Sequence, residues 1–253
     1  MPYPSLRVAV TLFAAAVASS AHADPDALWK IVHERCVPNQ RAHGDPAPCA
    51  AVDLAGGTVV LKDIRGDTQF LVIPTARLAG IESPEILAAD APNYWEASWK
   101  ARSFFEAKAG RAVPREDVGL AINSAYGRSQ NELHIHVDCV RPEVKAALQA
   151  NQGRIGEHWA DLDAELGGHR YRAMRIDGDD LGQRNPFKLL ADGDPAARAD
   201  MGRETLAVIG ATFADGRPGF YLLSDRAEVL SMNRASSETL LDHDCAVLKG
   251  ELP

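Results

Sequence analysis

Apolar and polar positions along the chain follow two periods in turn, one helical and one extended. Between Asp24 and Cys36, Leu28, Ile31 and Val32 fall on one helical stripe and predict a helix. Thr58–Lys62 and Gln69–Ile73 are β-branched and apolar runs joined by Arg65-Gly66-Asp67, the pattern of a hairpin, with Pro74 ending the second strand. Ser83-Pro84-Glu85 predicts the start of a short helix, because proline is pre-organised for a first turn. A longer helix is expected over Asn93–Ala109, where Trp95, Trp99, Ala101 and Phe105 make an apolar face and Gly110 a stop. Strands follow at Val118–Asn123 and Leu133–Val140 around a turn at Ser124–Ser129, then a helix at Pro142–Ala150. Tyr171–Ile176 reads as a strand, Pro186–Met201 as a broken helix, and Thr205–Thr212 with Gly219–Leu223 as a second hairpin. Ser236–Leu248 is expected to form a closing helix. The class is α+β.

Gly66–Val72 and Gly216–Leu222 are each a turn leading into an aromatic strand, followed later by a serine-capped helix. The likeness hints at a degenerate internal duplication, with halves at 24–151 and 152–253. Recurrence of a hairpin-then-helix unit by chance explains it equally well.

The first 23 residues change the picture. Arg7 precedes an apolar run from Val8 to Ala18, and Ala21-His22-Ala23 closes it, as in a secretory signal peptide cleaved after Ala23. The run is short of the ~20 residues that span a bilayer, and an uncleaved N-terminal anchor is the alternative. Export to the periplasm or the outer face of the inner membrane is therefore expected. Cys36, Cys49, Cys139 and Cys245 all lie beyond Ala23 and form an even set, as suits an oxidising compartment. Four cysteines allow three pairings. Cys36 with Cys49 would close a loop rich in turn residues, leaving Cys139 with Cys245; four free buried thiols are the alternative. With Lys+Arg 27 against Asp+Glu 35, the net charge of -8 argues against a nucleic-acid partner, but does not exclude a local basic pocket for phosphate.

Candidate chemistry gathers in Asn123–Cys139, NSAYGRSQNELHIHVDC. On a strand, His134 and His136 point to one face, while Leu133, Ile135 and Val137 point to the other. The adjoining Gly127-Arg128-Ser129-Gln130-Asn131 turn is rich in donors suited to phosphate oxygens. Three readings compete: a metal pair, a histidine nucleophile on phosphorus, and two structural histidines. Glu132 is expected on the imidazole face, where it would repel a pyrophosphate or hold a ribose hydroxyl or Arg128. Lys62 is a candidate for pyrophosphate charge, with a solvated strand lysine as the plainer reading. The remaining histidines, His243 among them, read as surface or structural, and the Trp95/Trp99/Phe105 stripe as helix core before acyl-chain groove.

The stretch resembles the histidine triad superfamily, whose pattern is Asn, then Gly-Gln-Ser/Thr, then alternating histidines. Asn123, Gly127-Arg128-Ser129 and His134-Ile135-His136-Val137 match in order, and Glu132 stands where the first triad histidine would be. Within that superfamily the chain is similar to the bacterial CDP-diacylglycerol pyrophosphatases, through KIVHERCVPNQ, PTARLAGIESPEIL, NYWEASWKAR, LAINSAYGRSQNELHIHVDCVRPEV, NPFKLLA and MNRASSETLLDHDC. The resemblance implies a HIT-like antiparallel sheet with flanking helices, which the internal duplication, where real, would double into a pseudo-dimer. It implies cleavage of CDP-diacylglycerol to CMP and phosphatidate at a membrane surface, without a cofactor. His134 would be the nucleophile and His136 would orient phosphate or carry a proton. Asn123, Ser129 and Gln130 would contact ribose and phosphate, and all four cysteine positions would be kept. An exported nucleotide or lipid carrier that lost catalysis, and a metal-dependent phosphoesterase, are the competing functions.

Overall fold

The computed structural model describes residues 24–249; the predicted signal segment lies outside the described residues. All pairings join neighbouring strands antiparallel in one ten-stranded sheet. The strands are β1 (Ala51–Asp53), β2 (Thr58–Lys62), β3 (Phe70–Pro74), β4 (Val118–Ile122), β5 (Ile135–Val140), β6 (Ala160–Leu166), β7 (His169–Asp177), β8 (Glu204–Thr212), β9 (Pro218–Arg226) and β10 (Leu241–Asp242). Their spatial order is β1-β2-β3-β5-β4-β8-β9-β7-β6, with β10 beside the end of β5. The β4–β8 pair, with Leu120 opposite Val208, sits at the centre and makes the sheet continuous from one half of the chain to the other.

Helices cover both faces. On one face lie α3 (Tyr94–Ala109), α5 (Pro186–Gly193) and α6 (Pro195–Ala199). Asn93 caps α3 by accepting from the Glu96 amide at 3.2 Å, and Gly110 ends it in the left-handed conformation. Its Trp95 and Trp99 are buried against Phe187 and Phe220, with ring centroids 5.1 and 4.8 Å apart. The tryptophan stripe is therefore core. The opposite face is covered in two places. At one side α1 (Ala27–Ile31) continues through a π-helical turn, Val32–Cys36, into α2 (Val37–His43), and packs on Val59, Leu61, Leu71 and Ile73. At the other, α4 (Pro142–Asn151) lays Val144 and Leu148 with Tyr171, Ile209 and Leu223. His134 and His136 lie on the sheet between these two covers.

Several expectations need correcting. The first helix does not stop at Cys36 but runs to His43, through a π-helical turn at Val32–Cys36 that leads into Val37-Pro38. Strands β1 and β6 were not legible. The closing helix is absent: Ser237–Leu240 is a single 3₁₀ turn, β10 pairs Leu241 with Val140 and Asp242 with Cys139, and only α7 (Ala246–Lys249) is helical. Pairing with β5 offered this segment backbone partners that a helix would have forgone. The comparison of Gly66–Val72 with Gly216–Leu222 also sets unlike places together. The β2–β3 hairpin lies toward one edge of the sheet, whereas β8–β9 lies at its centre, where β4–β5 also lies.

Both disulfides form as expected, Cys36–Cys49 with Cα atoms 5.7 Å apart and Cys139–Cys245 at 5.3 Å. The second ties the C-terminal segment to β5 itself. No helix among the described residues is long and apolar enough to cross a membrane.

Candidate active site

The alternation of β5 puts His136 and Asp138 on the face opposite Ile135, Val137 and Cys139, with His134 just before the strand on the imidazole side. The rings of His134 and His136 meet edge to face, centroids 4.9 Å apart, and the two residues are only 8% and 4% exposed. His134 Nδ1 is 2.6 Å from the Glu132 carbonyl oxygen. A carbonyl can only accept, so Nδ1 carries the proton and Nε2 presents its lone pair. Burial pulls both imidazoles below their usual range, His136 to about 4, so both are neutral near pH 7.

A second group of side chains closes on them from the C-terminal segment. Glu238 Oε2 lies 3.5 Å from His136 Nε2 and accepts from the Asn123 amide at 2.9 Å. Asn123 in turn accepts from Ser236 Oγ at 3.0 Å and from the Glu238 amide at 3.1 Å, which fixes the turn that carries the carboxylate. His243 stands between two acids, with Nδ1 2.9 Å from Asp138 and Nε2 3.5 Å from Glu238. Thr68 Oγ donates to the other Asp138 oxygen at 2.9 Å. Hydrogen bonds to Asp138 and Glu238 raise the His243 imidazole to about 9, so it is an imidazolium at pH 7. Burial works to raise Glu238, but the His243 bond, with His136, the Asn123 bond and Arg65 after it, outweighs burial and holds the carboxyl well below its usual range. Burial dominates at Asp138 and raises it, with the His243 and Thr68 bonds opposing. Arg65 reaches Glu238 at 3.4 Å from the rim. The site thus holds neutral imidazoles beside a charged one, with an anionic bridge between.

Of the predicted site residues, the structure brings together His134, His136 and Asn123. Ser129 lies exposed on the neighbouring turn. Arg128 is committed to Glu82 by two bonds of 2.6 Å. Gln130 accepts from the Leu28 amide at 3.1 Å and donates to the Asp24 carbonyl at 3.0 Å, so it moors the N-terminal helix. Lys62 shares the face of Val60 and Phe70, opposite the imidazoles, and donates to the carbonyls of Asp63 and Gly66 at 2.7 and 2.9 Å. Glu132 does not join the imidazole face, because strand alternation begins only at Ile135. Its carboxyl is fully buried with neither oxygen in a hydrogen bond, and burial pushes it up to about 8, against a smaller opposing pull from the Leu78 backbone and Arg77.

Sequence reasoning missed Asp138, Glu238 and His243. In a helix over Ser236–Leu248, Glu238 and His243 would point in different directions, and only the 3₁₀-and-strand path aims both at β5. The one available signal was the density of acids and histidine in SSETLLDHDC next to a cysteine.

The chain matches the CDP-diacylglycerol pyrophosphatase family over residues 23–249, the length that carries the sheet, both disulfides and the whole of this site. It is 42% identical over 244 residues to the CDP-diacylglycerol pyrophosphatase of Yersinia pestis, covering 96% of this chain and 93% of that protein. The chain, whose sheet buries paired neutral histidines beside a charged carboxylate and imidazolium, belongs to the CDP-diacylglycerol pyrophosphatases.

Proposed function

We propose that the chain hydrolyses the pyrophosphate bond of CDP-diacylglycerol in two displacements through a nucleotidyl-histidine at His134. The observation that carries this reading is the tautomer of His134: a buried neutral ring whose Nδ1 is occupied by the Glu132 carbonyl and whose Nε2 is left as the nucleophile. In the first step Nε2 attacks the cytidine-side phosphorus. The N–P bond forms, the P–O bond to the lipid-side phosphate breaks, and phosphatidate leaves. In the second, water attacks the same phosphorus, the N–P bond breaks and CMP departs. A proton supplied to the leaving oxygen in the first step is regained from water in the second.

His136 is positioned to orient the phosphate, since both its ring nitrogens lack hydrogen-bond partners within the described residues. His243 is the group that holds a proton at neutral pH, and its charge offsets that of the pyrophosphate and of the two carboxylates beside it. Glu238 lies between the two histidines, 3.5 Å from Nε2 of each. Ser129 on the exposed turn is retained as a substrate contact. Arg128, Gln130 and Lys62 are assigned instead to holding the fold.

The strand order supports reading the sheet as two diverged histidine-triad-like halves. Counted outward from the centre it runs β4, β5, β3, β2 and then the short β1 on one side and β8, β9, β7, β6 on the other, so the successive hairpins of each half occupy matching places. The half with His134 and His136 would be the active one. The same reading places the mature chain outside the cytoplasm, after removal of the first 23 residues, at a membrane surface.

The test is product analysis with the purified protein. CMP and phosphatidate should appear in equal amounts from CDP-diacylglycerol, and His134→Ala should abolish both while leaving CMP binding. Turnover by His134→Ala near the wild-type rate would overturn the assignment. Binding without any turnover by the wild type would favour a carrier.

A further inference from the structure

Among the described residues the exposed large apolar side chains are few, and four of the six lie together at one end of the sheet. Leu54 apart, they are Ile64, Tyr126, Val229, Leu230 and Met232. Tyr126 and Val229–Met232 follow β4 and β9, whose ends lie together beside the start of β8, whereas Ile64 lies on the β2–β3 turn at the other end of the sheet. Arg65, after Ile64, contacts Glu238, and Gly66 packs on His243. Tyr126 lies on the Ser124–Asn131 turn, which holds the chain at Arg234 and Ala235 through Ser124. Val229, Leu230 and Met232 crown a turn closed by the Glu228 amide on the Asn233 carbonyl at 2.8 Å, and the chain then runs from Asn233 directly to Glu238.

The Val229–Met232 turn is built, not loose. The Asn233 side-chain amide donates to both Asp225 carboxylate oxygens, at 3.1 and 2.9 Å, and Asn233 Oδ1 accepts from the Ala235 amide at 2.8 Å. Met232 has a φ of 58°, a left-handed conformation that a non-glycine residue adopts at a cost. The molecule thus holds its apolar crown outward, with Val229 71%, Leu230 95% and Met232 86% exposed. A water-facing turn has no physical reason to carry three such side chains.

We infer that the Val229–Met232 crown, with Tyr126 at the same end of the sheet, inserts into the surface of a lipid bilayer and sets the His134–His136 site at the level of the headgroups. This rests on the substrate reading above, because a diacyl substrate lies in a bilayer and its pyrophosphate stands at the interface. Full burial of a Val, Leu or Met side chain favours the apolar phase by about tenfold or more, so the crown needs only partial insertion to hold the protein there. The net charge of -8 opposes attraction to anionic lipid, and the crown is bordered in the chain by Glu228 and by Arg234. Apolar insertion and not charge therefore supplies the binding, and added salt should not release it.

The crown can be read directly with the full chain carrying Leu230→Cys, the other cysteines being paired, labelled with an environment-sensitive nitrobenzoxadiazole dye. On phosphatidylcholine vesicles with a minor share of phosphatidylglycerol, dye emission should shift to the blue, be quenched by nitroxide lipids, and persist in 0.5 M salt at the order of concentration that screens to a few Å. A dye that stays in water overturns the inference whatever the protein's activity. The triple variant Val229→Ser, Leu230→Ser, Met232→Ser should raise KM for CDP-diacylglycerol in vesicles about tenfold or more and leave turnover of a short-chain, water-soluble analogue unchanged. Equal vesicle kinetics for variant and wild type would overturn it. So would sedimentation of the wild type as a dimer that the triple variant dissociates, which would give the crown to a second copy of the chain. Failure of both proteins on both substrates would sink the hydrolase reading, while the dye would still decide the docking.

Discussion

Replacing His243 with glutamine should destabilise the protein in a pH-dependent way that the wild-type geometry specifies. The imidazole is raised from 6.5 to about 9 by its bonds to Asp138 and Glu238. At 1.36 kcal/mol per pH unit that difference has an upper value of about 3 kcal/mol. The side chain is 31% exposed and Asp138 opposes it through burial, so about 2 kcal/mol is the working figure. A group whose folded pKa is raised stabilises fully below its unfolded value and loses that contribution as pH rises through the folded one. The contribution of His243 is therefore complete at pH 6, declines above about 6.5 and is spent above about 9. Urea unfolding of oxidised wild type and His243→Gln at pH 6, 8 and 10 measures it. The difference should be about 2 kcal/mol at pH 6 and shrink toward pH 10. Adding Asp138→Asn to His243→Gln should recover part of the loss, because it removes the acid left buried without its partner. A pH-independent difference, or none, would refute the imidazolium between two carboxylates.

Three other outcomes are expected. Glu132→Gln should be more stable than wild type above pH 8, by up to about 5 kcal/mol, with the gain vanishing toward pH 4.5, because a buried carboxyl raised to about 8 is fully favourable only below its unfolded pKa; denaturation against pH would reveal the opposite trend if Glu132 were paired. Paired Cys36→Ser and Cys49→Ser should cost about 3 kcal/mol with kcat little changed, whereas Cys139→Ser with Cys245→Ser should cost about 4 to 5 kcal/mol and also lower kcat by freeing the segment of Glu238 and His243. The acid limb of kcat/KM should lie below the usual histidine range, since burial keeps His134 and His136 neutral as pH falls, and a limb near 6.5 or above would contradict that environment.

The legible parts of the molecule were those in which local pattern and tertiary placement agree. The alternation of Ile135, Val137 and Cys139 against His136 and Asp138 survived because each face of β5 has one environment, core on one side and site on the other. Helix α3 was legible in Asn93, its apolar stripe and Gly110, all local signals. The C-terminal segment was not, because Ser237–Asp242 takes its conformation from β5 through β10 and from Asn123, partners about a hundred residues away in sequence. That single misreading hid Glu238 and His243. Strand β6 was obscured by the polar run Asp161, Asp163 and Glu165, which faces water at the sheet edge while Leu162 and Leu166 pack inward. Lys62 and Glu132 misled for opposite reasons: the first follows strand alternation onto the wrong face, and the second precedes the strand whose alternation was applied to it.

The central claim is a covalent nucleotide on His134, and a rapid acid-free quench tests it most directly. The protein is mixed with CDP-diacylglycerol labelled in the cytidine-side phosphate, denatured at alkaline pH within the first turnover, and digested. Label stable to base, lost in mild acid and carried by the peptide containing His134 is the result expected. Label on another residue, or none during turnover in which water oxygen enters phosphatidate instead of CMP, would contradict the account.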